Sequence, residues 1–314
     1  MDNMTSTDKD EFLHGLAAFL PFQDAKECAR VRQISKEDLL KHGNPEFRIA
    51  AISSRDEFYG AMATDLVHRI RSATREGKDL VLILPCGPVP QYSIAAGVIN
   101  RERLSLRHVY TFNMDEYADE DGVTAPATWR GSFQYAMRAG FFDRLDPELR
   151  PPESQIHFPS SANISGYSDQ IATLGGADVC YGGIGWGGHI AFWEPHLALE
   201  FDGDMEAWLE AGSRLVELHP MTVMQNALHS FGGDWSWVPP KAVTIGPRDI
   251  VGARFRSFWL DGDLGGHVSW QRFIARLVAH GPVTPFVPGS ILQTLRTDFT
   301  LLGNVADDLV VDMA

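Results

Sequence analysis

The sequence predicts an α/β protein: a doubly wound, mostly parallel sheet flanked by helices, with a helical extension at the N-terminus. Three observations carry this. Apolar runs such as Leu80–Leu84 (LVLIL) have no polar face, as expected of strands covered on both sides. Stretches with helical spacing lie between several of these runs, which is the alternation of a parallel sheet. No long Pro/Gly/Ser-rich linker divides the chain after Phe47, so the remainder forms one core.

The elements are taken in chain order. Residues 1–46 form a helical N-terminal extension. Phe12, Leu13, Leu16, Phe19 and Leu20 have helical spacing that Pro21 stops. A second, polar helix runs from about Asp24 to Lys41 and ends at His42-Gly43-Asn44-Pro45. This extension could serve as a cap, a lid or an oligomer contact. From Phe47 the pattern changes. FRIAAI reads as a strand, Ser54 with Glu57 as a capping box, and Phe58, Met62, Leu66 and Ile70 as one apolar helix face. Further strands are His108–Asn113, Asp178–Gly185, Ser213–Leu218, Lys241–Gly246, Arg256–Leu260 and Phe299–Leu302, with a helix over Ser269–His280.

Bulk properties narrow the function. The 314-residue chain carries a formal net charge of −14. That surplus of acid argues against nucleic acid and anionic membranes as partners. Cys28, Cys86 and Cys180 make no CxxC pair, which fits a reducing compartment and offers no zinc site. His68, His157 and His196 are scattered without ligand spacing, so neither metal nor cofactor is expected. The acidic, polar start MDNMTSTDKDEF is no signal peptide, and the expectation is a cytoplasmic protein.

In an open parallel sheet, ligands bind beyond the carboxyl ends of the strands. Three stretches stand there. MDEY places Asp115 and Glu116 directly after a strand; one carboxylate could face a pocket while the other anchors the loop, or both could be solvated. In GGIGWGGHIAFWEP, the glycines allow close backbone approach, His189 suits proton transfer near neutrality, and Glu194 could fix its tautomer. The alternative is a packed histidine on a bulge. PCGPVP, with Cys86 and Gly87, could cradle an anion, but its prolines lack N–H groups and favour a rigid turn.

Together TFNMDEY (Thr111–Tyr117) and GGIG-x-x-GHIAF-x-EP (Gly182–Pro195) resemble the two signature segments of the glucosamine-6-phosphate deaminase/isomerase family. Further matches are LP-x-G-x-x-P at Leu84–Pro90, FFD at Phe141–Asp143, VP-x-x-AVTIG at Val238–Gly246 and PVTPFVPGSILQ at Pro282–Gln293. The resemblance covers residues 47–314 and implies a sugar isomerase/deaminase-like, Rossmann-like α/β domain of carbohydrate metabolism, without cofactor. A homo-oligomer would fit the family. Related phosphogluconolactone hydrolases share the fold, but His-Ile-Ala-Phe-Trp-Glu-Pro sides with the deaminases.

The resemblance implies roles. Asp115 would move the proton between C2 and C1 of an opened amino sugar, His189 would exchange a proton with the ring oxygen, and Glu194 would orient His189. Glu116 and Tyr117 would be scaffold and pocket wall. Departures from the family pattern are concentrated in the site. Gly187 and its neighbour Gly188 stand in G-x-D-G-H, with Gly187 where the family has aspartate, and Trp193 replaces an asparagine. Pro88 and Val89 replace the Gly- and Thr-rich phosphate loop. An expected arginine aligns with Leu228 or His229, and an expected lysine with Gly265. Arg130, His229 and His267 are the nearest replacements for these cations, and Trp186 and Trp193 could stack on a sugar face. The expectation is therefore an isomerase/deaminase-like enzyme for a small sugar or sugar derivative other than glucosamine 6-phosphate. A non-catalytic sugar sensor and a lactonase-type hydrolase stay open as alternatives.

Overall fold

The computed structural model describes residues 14–87, 89–265 and 268–311. Phe12, Leu13, Pro88 and His267, which figure in the expectations above, lie outside the described residues.

The N-terminal segment departs from the expected helices. No helix forms over Leu16–Leu20. The Gln23 amide instead donates to the carbonyls of Ala17 and Leu20, which a continuing helix would have used. The second predicted helix is split into α1 (Ala25–Arg32) and α2 (Lys36–Leu39). Ser35 breaks it, because its hydroxyl accepts from Asp38 N at 3.1 Å and starts a new helix. Val31 and Leu39 are fully buried in the main core, so this segment packs as part of the body of the protein.

β1 (Phe47–Ile52) leads into α3 (Arg55–Glu76), whose N-cap Ser54 accepts from Glu57 N at 3.1 Å. The predicted face of Phe58, Met62, Leu66 and Ile70 is buried. β2 (Leu80–Leu84), α4 (Pro90–Glu102) and β3 (Val109–Asn113) come after it. Next are β4 (Asp115–Ala118), α5 (Phe133–Gly140), β5 (Ile156–His157), α6 (Ile164–Thr173) and β6 (Val179–Gly182). The chain continues through α7 (Met205–Leu209), β7 (Arg214–Glu217), α8 (Pro220–Ser230), β8 (Lys241–Thr244) and α9 (Pro247–Gly252). It ends with β9 (Phe255–Leu260), β10 (Asp263–Gly265), β11 (Val268–Ser269), α10 (Arg272–His280) and β12 (Thr297–Leu302).

Seven strands form one parallel sheet in the order β1-β12-β9-β6-β2-β3-β5, the α/β arrangement that the apolar runs predict. Two predicted strands do not join it. β8 pairs antiparallel with both β4 and β7 in a separate three-stranded sheet. The crossing between sheets is at Met114, whose N–H donates to Leu84 O at 3.0 Å while its carbonyl accepts from Ile245 N at 2.9 Å. MDEY is therefore the start of a strand and not a loop. A second core lies under the small sheet and includes Tyr117, Phe192, Trp193, Trp208 and Val216. A buried arginine, Arg276 of α10, ties the periphery to the body. Its guanidinium donates to the carbonyls of Ile34 (2.7 Å) and Ala306 (3.1 Å).

Candidate active site

Strands β2, β6 and β9 are neighbours and parallel, so the segments after their carboxyl ends converge. These segments carry Cys86 and Gly87 after β2, the stretch Gly183–Phe192 after β6, and Asp261 after β9.

The segment after β6 depends on its glycines. Gly188 has φ +87°, and a Cβ there would stand 2.9 Å from Val287 Cγ1. At Gly185, a Cβ would occupy the space of the His189 ring. A glycine is therefore required for the imidazole to lie where it does. Ala191 completes the turn at φ +53°, a left-handed conformation that non-glycine residues seldom adopt.

The structure brings His189 and Glu194 together. Nδ1 of His189 lies 3.5 Å from Glu194 Oε2, and both side chains are buried. The Thr222 hydroxyl of α8 stands 3.2 Å from the same Nδ1. Glu194 Oε1 accepts from His219 N at 3.2 Å. Burial pushes Glu194 up to about 8. Burial, with the His219 and His229 rings nearby, pushes His189 down to about 3. The pair thus rests uncharged near neutrality. A protonated Glu194 donating toward Nδ1 leaves the other ring nitrogen, Nε2, carrying its hydrogen. An ionised Glu194 accepting from Nδ1–H leaves Nε2 with a lone pair. The proton on Glu194 therefore sets whether the ring can give or take a proton.

Asp115 and Glu116 divide as the alternation of a strand requires. Glu116 is anchored. Its carboxylate accepts from Ser132 Oγ (2.7 Å), Gln134 N (2.9 Å), Phe133 N (3.0 Å) and Tyr117 N (2.9 Å), holding the start of α5. Asp115 is also buried, and burial beside Glu116 holds its pKa well above the usual carboxylate range. It lies within electrostatic range of Cys86 and Tyr117. The two motifs are linked through β8: Thr244 is the register partner of Asp115, and its hydroxyl accepts from Phe192 N at 3.0 Å.

The other expected residues take varied positions. Gly87 and Val89 are exposed on the segment between β2 and α4. Tyr117 is buried in the second core. Trp186 is 38% exposed, with its N–H on Gln225 Oε1 at 2.6 Å. Trp193 corrects the expectation of a sugar-stacking ring. It has no exposed surface and packs in the second core beside Phe201. The turn that pairs Trp193 N with Ile190 O at 2.9 Å directs the indole into the core. Arg130 is exposed in the loop before α5, and among the described residues it makes no contact with the His189–Glu194 pair. Leu228 and His229, the two α8 positions where an arginine was expected, are both exposed.

Sequence reasoning missed Thr222, Gln225 and Asn226. All three are buried on α8. Their spacing of three and four residues, which puts polar side chains on one face of the helix, was the available signal. Among the described residues no cluster of three or more His, Cys, Asp or Glu could hold a metal, and no helix is long and apolar enough to cross a membrane.

A seven-stranded parallel sheet carries a buried histidine–carboxyl pair and a second buried carboxyl beyond its strand ends. Comparison with known proteins relates this chain to sugar-phosphate deaminases. The chain is 34% identical over 195 residues to the glucosamine-6-phosphate deaminase of Caenorhabditis elegans, covering 60% of this chain and 66% of that protein. It is 31% identical over 236 residues to glucosamine-6-phosphate deaminase 2 of Giardia intestinalis, covering 73% and 80%. A solved structure of a monomeric glucosamine-6-phosphate deaminase superposes with a TM-score of 0.68 at 22% identity, over 82% of this chain and 98% of that one. No family model matches the chain. This chain belongs to the glucosamine-6-phosphate deaminase family.

Proposed function

We propose that the protein is an enzyme that opens the ring of an amino sugar or related sugar derivative and transfers a proton between C2 and C1, as an aldose–ketose isomerase or deaminase. The observation that carries this is the buried His189–Glu194 pair, with the Thr222 hydroxyl 3.2 Å from the same imidazole nitrogen. Such a pair can deliver a proton to a ring oxygen and recover it. Asp115 is the second element of the reading. Its raised pKa suits a carboxylate that takes a proton from carbon and returns it on the same face.

Glucosamine 6-phosphate itself is not the efficient substrate. Gly187 lacks the carboxylate of the family motif, Val89 offers no hydroxyl to a phosphate, and the position where the resemblance puts an arginine falls on Leu228 or His229. Each lost charge-assisted contact forfeits about 1.5–3 kcal/mol. The missing carboxylate at Gly187 also favours a second reading, a sugar sensor that binds without turnover.

Exchange of the C2 hydrogen in heavy water separates the two. Exchange that depends on Asp115 supports the enzyme; binding with no exchange from any sugar supports the sensor. Ammonia release from glucosamine 6-phosphate above about 1 s⁻¹, the lower range of ordinary enzymes, would refute the exclusion of that substrate.

A further inference from the structure

The proton-transfer pair, the start of α8 and the N-terminal segment meet at His219, and every polar group of this residue is engaged. Its backbone N–H donates to Glu194 Oε1 at 3.2 Å. Its carbonyl accepts from Thr222 N (2.8 Å) and Val223 N (3.1 Å), which starts α8. Thr222 is the residue whose hydroxyl stands at His189 Nδ1. The His219 imidazole caps the same helix, with Nδ1 3.2 Å from Met221 N. The first helical residue, Pro220, has no N–H, so Met221 carries the first donor that needs a partner.

These contacts fix the tautomer of the ring. Met221 N–H can only donate, so Nδ1 carries a lone pair and the hydrogen of the neutral imidazole is on Nε2. Nε2 lies 3.2 Å from the Phe19 carbonyl, which can only accept. His219 therefore donates to the N-terminal segment. The segment presents that carbonyl from a turn closed by Leu20 N on Ala17 O at 3.0 Å and by the Gln23 amide on Ala17 O and Leu20 O. The His219 residue is buried, and burial lowers the pKa of the ring, which favours the neutral form. The His196 ring lies 5.6 Å away and is itself within electrostatic range of Arg214, Glu200 and Glu217.

Residues 14–23 lie outside the stretch that resembles the family, yet one ring joins them to the residue that bonds Glu194. Releasing Phe19 would admit water beside His219, and a better-hydrated Glu194 would ionise at lower pH. We propose that His219 is a positioning residue that docks the N-terminal segment onto α8 and thereby keeps Glu194 dry and aligned with His189. This rests on the isomerase/deaminase reading of the site.

Asparagine and glutamine separate the two duties of the ring. The oxygen of His219→Asn can cap α8 in place of Nδ1, but its amide is too short to reach Phe19. The amide of His219→Gln can donate to Phe19 in place of Nε2. Gln23→Ala loosens the turn from an exposed position and leaves α8 untouched. Three readouts are taken on the full chain: amide hydrogen exchange of residues 14–23, the Glu194-dependent loss of stability between about pH 6.5 and 8.5, and the pH profile of C2 hydrogen exchange with the accepted sugar. The second is read by comparing each chain with and without Glu194→Gln.

In His219→Asn the segment is expected to exchange about tenfold faster. The Glu194-dependent loss is expected to fall by about half, and the limb of the pH profile that Glu194 sets to move down by about one unit. Gln23→Ala is expected to move all three the same way. His219→Gln is expected to lose the cap and keep all three close to the parent. Parent-like behaviour of His219→Asn would reduce His219 to a helix cap and overturn the proposal. So would faster exchange of the segment with an unchanged Glu194 part, or a glutamine variant as altered as the asparagine one. If neither His219 variant folds, Gln23→Ala decides by the same readouts. A parent chain that exchanges no sugar hydrogen overturns the enzymatic reading alone, and the first two readouts still decide the role of His219.

Discussion

His189 Nδ1 and Glu194 Oε2 lie 3.5 Å apart with the Thr222 hydroxyl 3.2 Å from the same imidazole nitrogen, and burial moves their pKa values in opposite directions, to about 3 and about 8. Two uncharged groups thus occupy a space where an isolated ion would be costly. A proton passed between them would create both charges at once, each stabilising the other.

Glu194 makes stability fall with rising pH between its unfolded and folded pKa values. The unfolded chain releases this proton at about pH 4.3, whereas the folded chain keeps it to about pH 8. Between these values the folded state binds more protons, so stability falls as pH rises. His189 is neutral in both states above about pH 6.5. Denaturant unfolding at about pH 6.5 and 8.5 is therefore expected to show a decline, of which Glu194→Gln removes about 1–2 kcal/mol. An equal decline in the variant would contradict the assignment.

Asp115→Asn keeps the size of the side chain and removes its basicity. C2 hydrogen exchange with the accepted sugar is expected to slow by about 10²–10⁴-fold, while binding by calorimetry changes little. Loss of binding and exchange in parallel would make Asp115 a binding residue instead.

Glu116→Gln tests the opposite role for the neighbouring carboxylate. The four donors that converge on Glu116 would meet one carbonyl oxygen and an NH2 group with nothing to accept. The variant is expected to lose about 2–3 kcal/mol of stability, seen as a lower denaturation midpoint. Unchanged stability would remove Glu116 as the anchor of α5.

Gly187→Asp returns the carboxyl that the family motif carries. A Cβ at 187 would stand 3.3 Å from Pro195 Cγ and 3.9 Å from His189 Nδ1, and the backbone there needs no left-handed conformation. The variant is expected to fold with a stability change within about 1 kcal/mol. The added negative charge beside His189 raises its pKa, and NMR titration of the imidazole reads that rise directly. A histidine that titrates as in the parent would show that the new carboxylate points elsewhere.

The parts legible in the sequence were those set by local pattern. LVLIL, FRIAAI and the Phe58–Ile70 face announce a covered parallel sheet and its helices, because burial on both faces erases alternation. The adjacency of His189 and Glu194 was legible because the two stand only five positions apart on one turn. What was hidden depends on distant pairing. Nothing local in DEYA tells that Asp115–Ala118 will pair with Lys241–Thr244. An indole next to a catalytic glutamate reads equally as pocket wall or core, and only the turn at Ile190–Trp193 decides for core. The spacing of Leu16 and Leu20 fits a helix, yet the Gln23 side chain takes the carbonyls.

Arg276 holds Ile34 and Ala306 through a single guanidinium with no exposed surface. Residues far apart in the chain are thereby two halves of one clasp. The segment before β1 is not a removable accessory: trimming the chain back to Phe47 would take away the Ile34 carbonyl that Arg276 donates to and uncover the guanidinium that also holds Ala306. Any minimal version of this domain made for engineering or for fusion to another protein has to keep both halves.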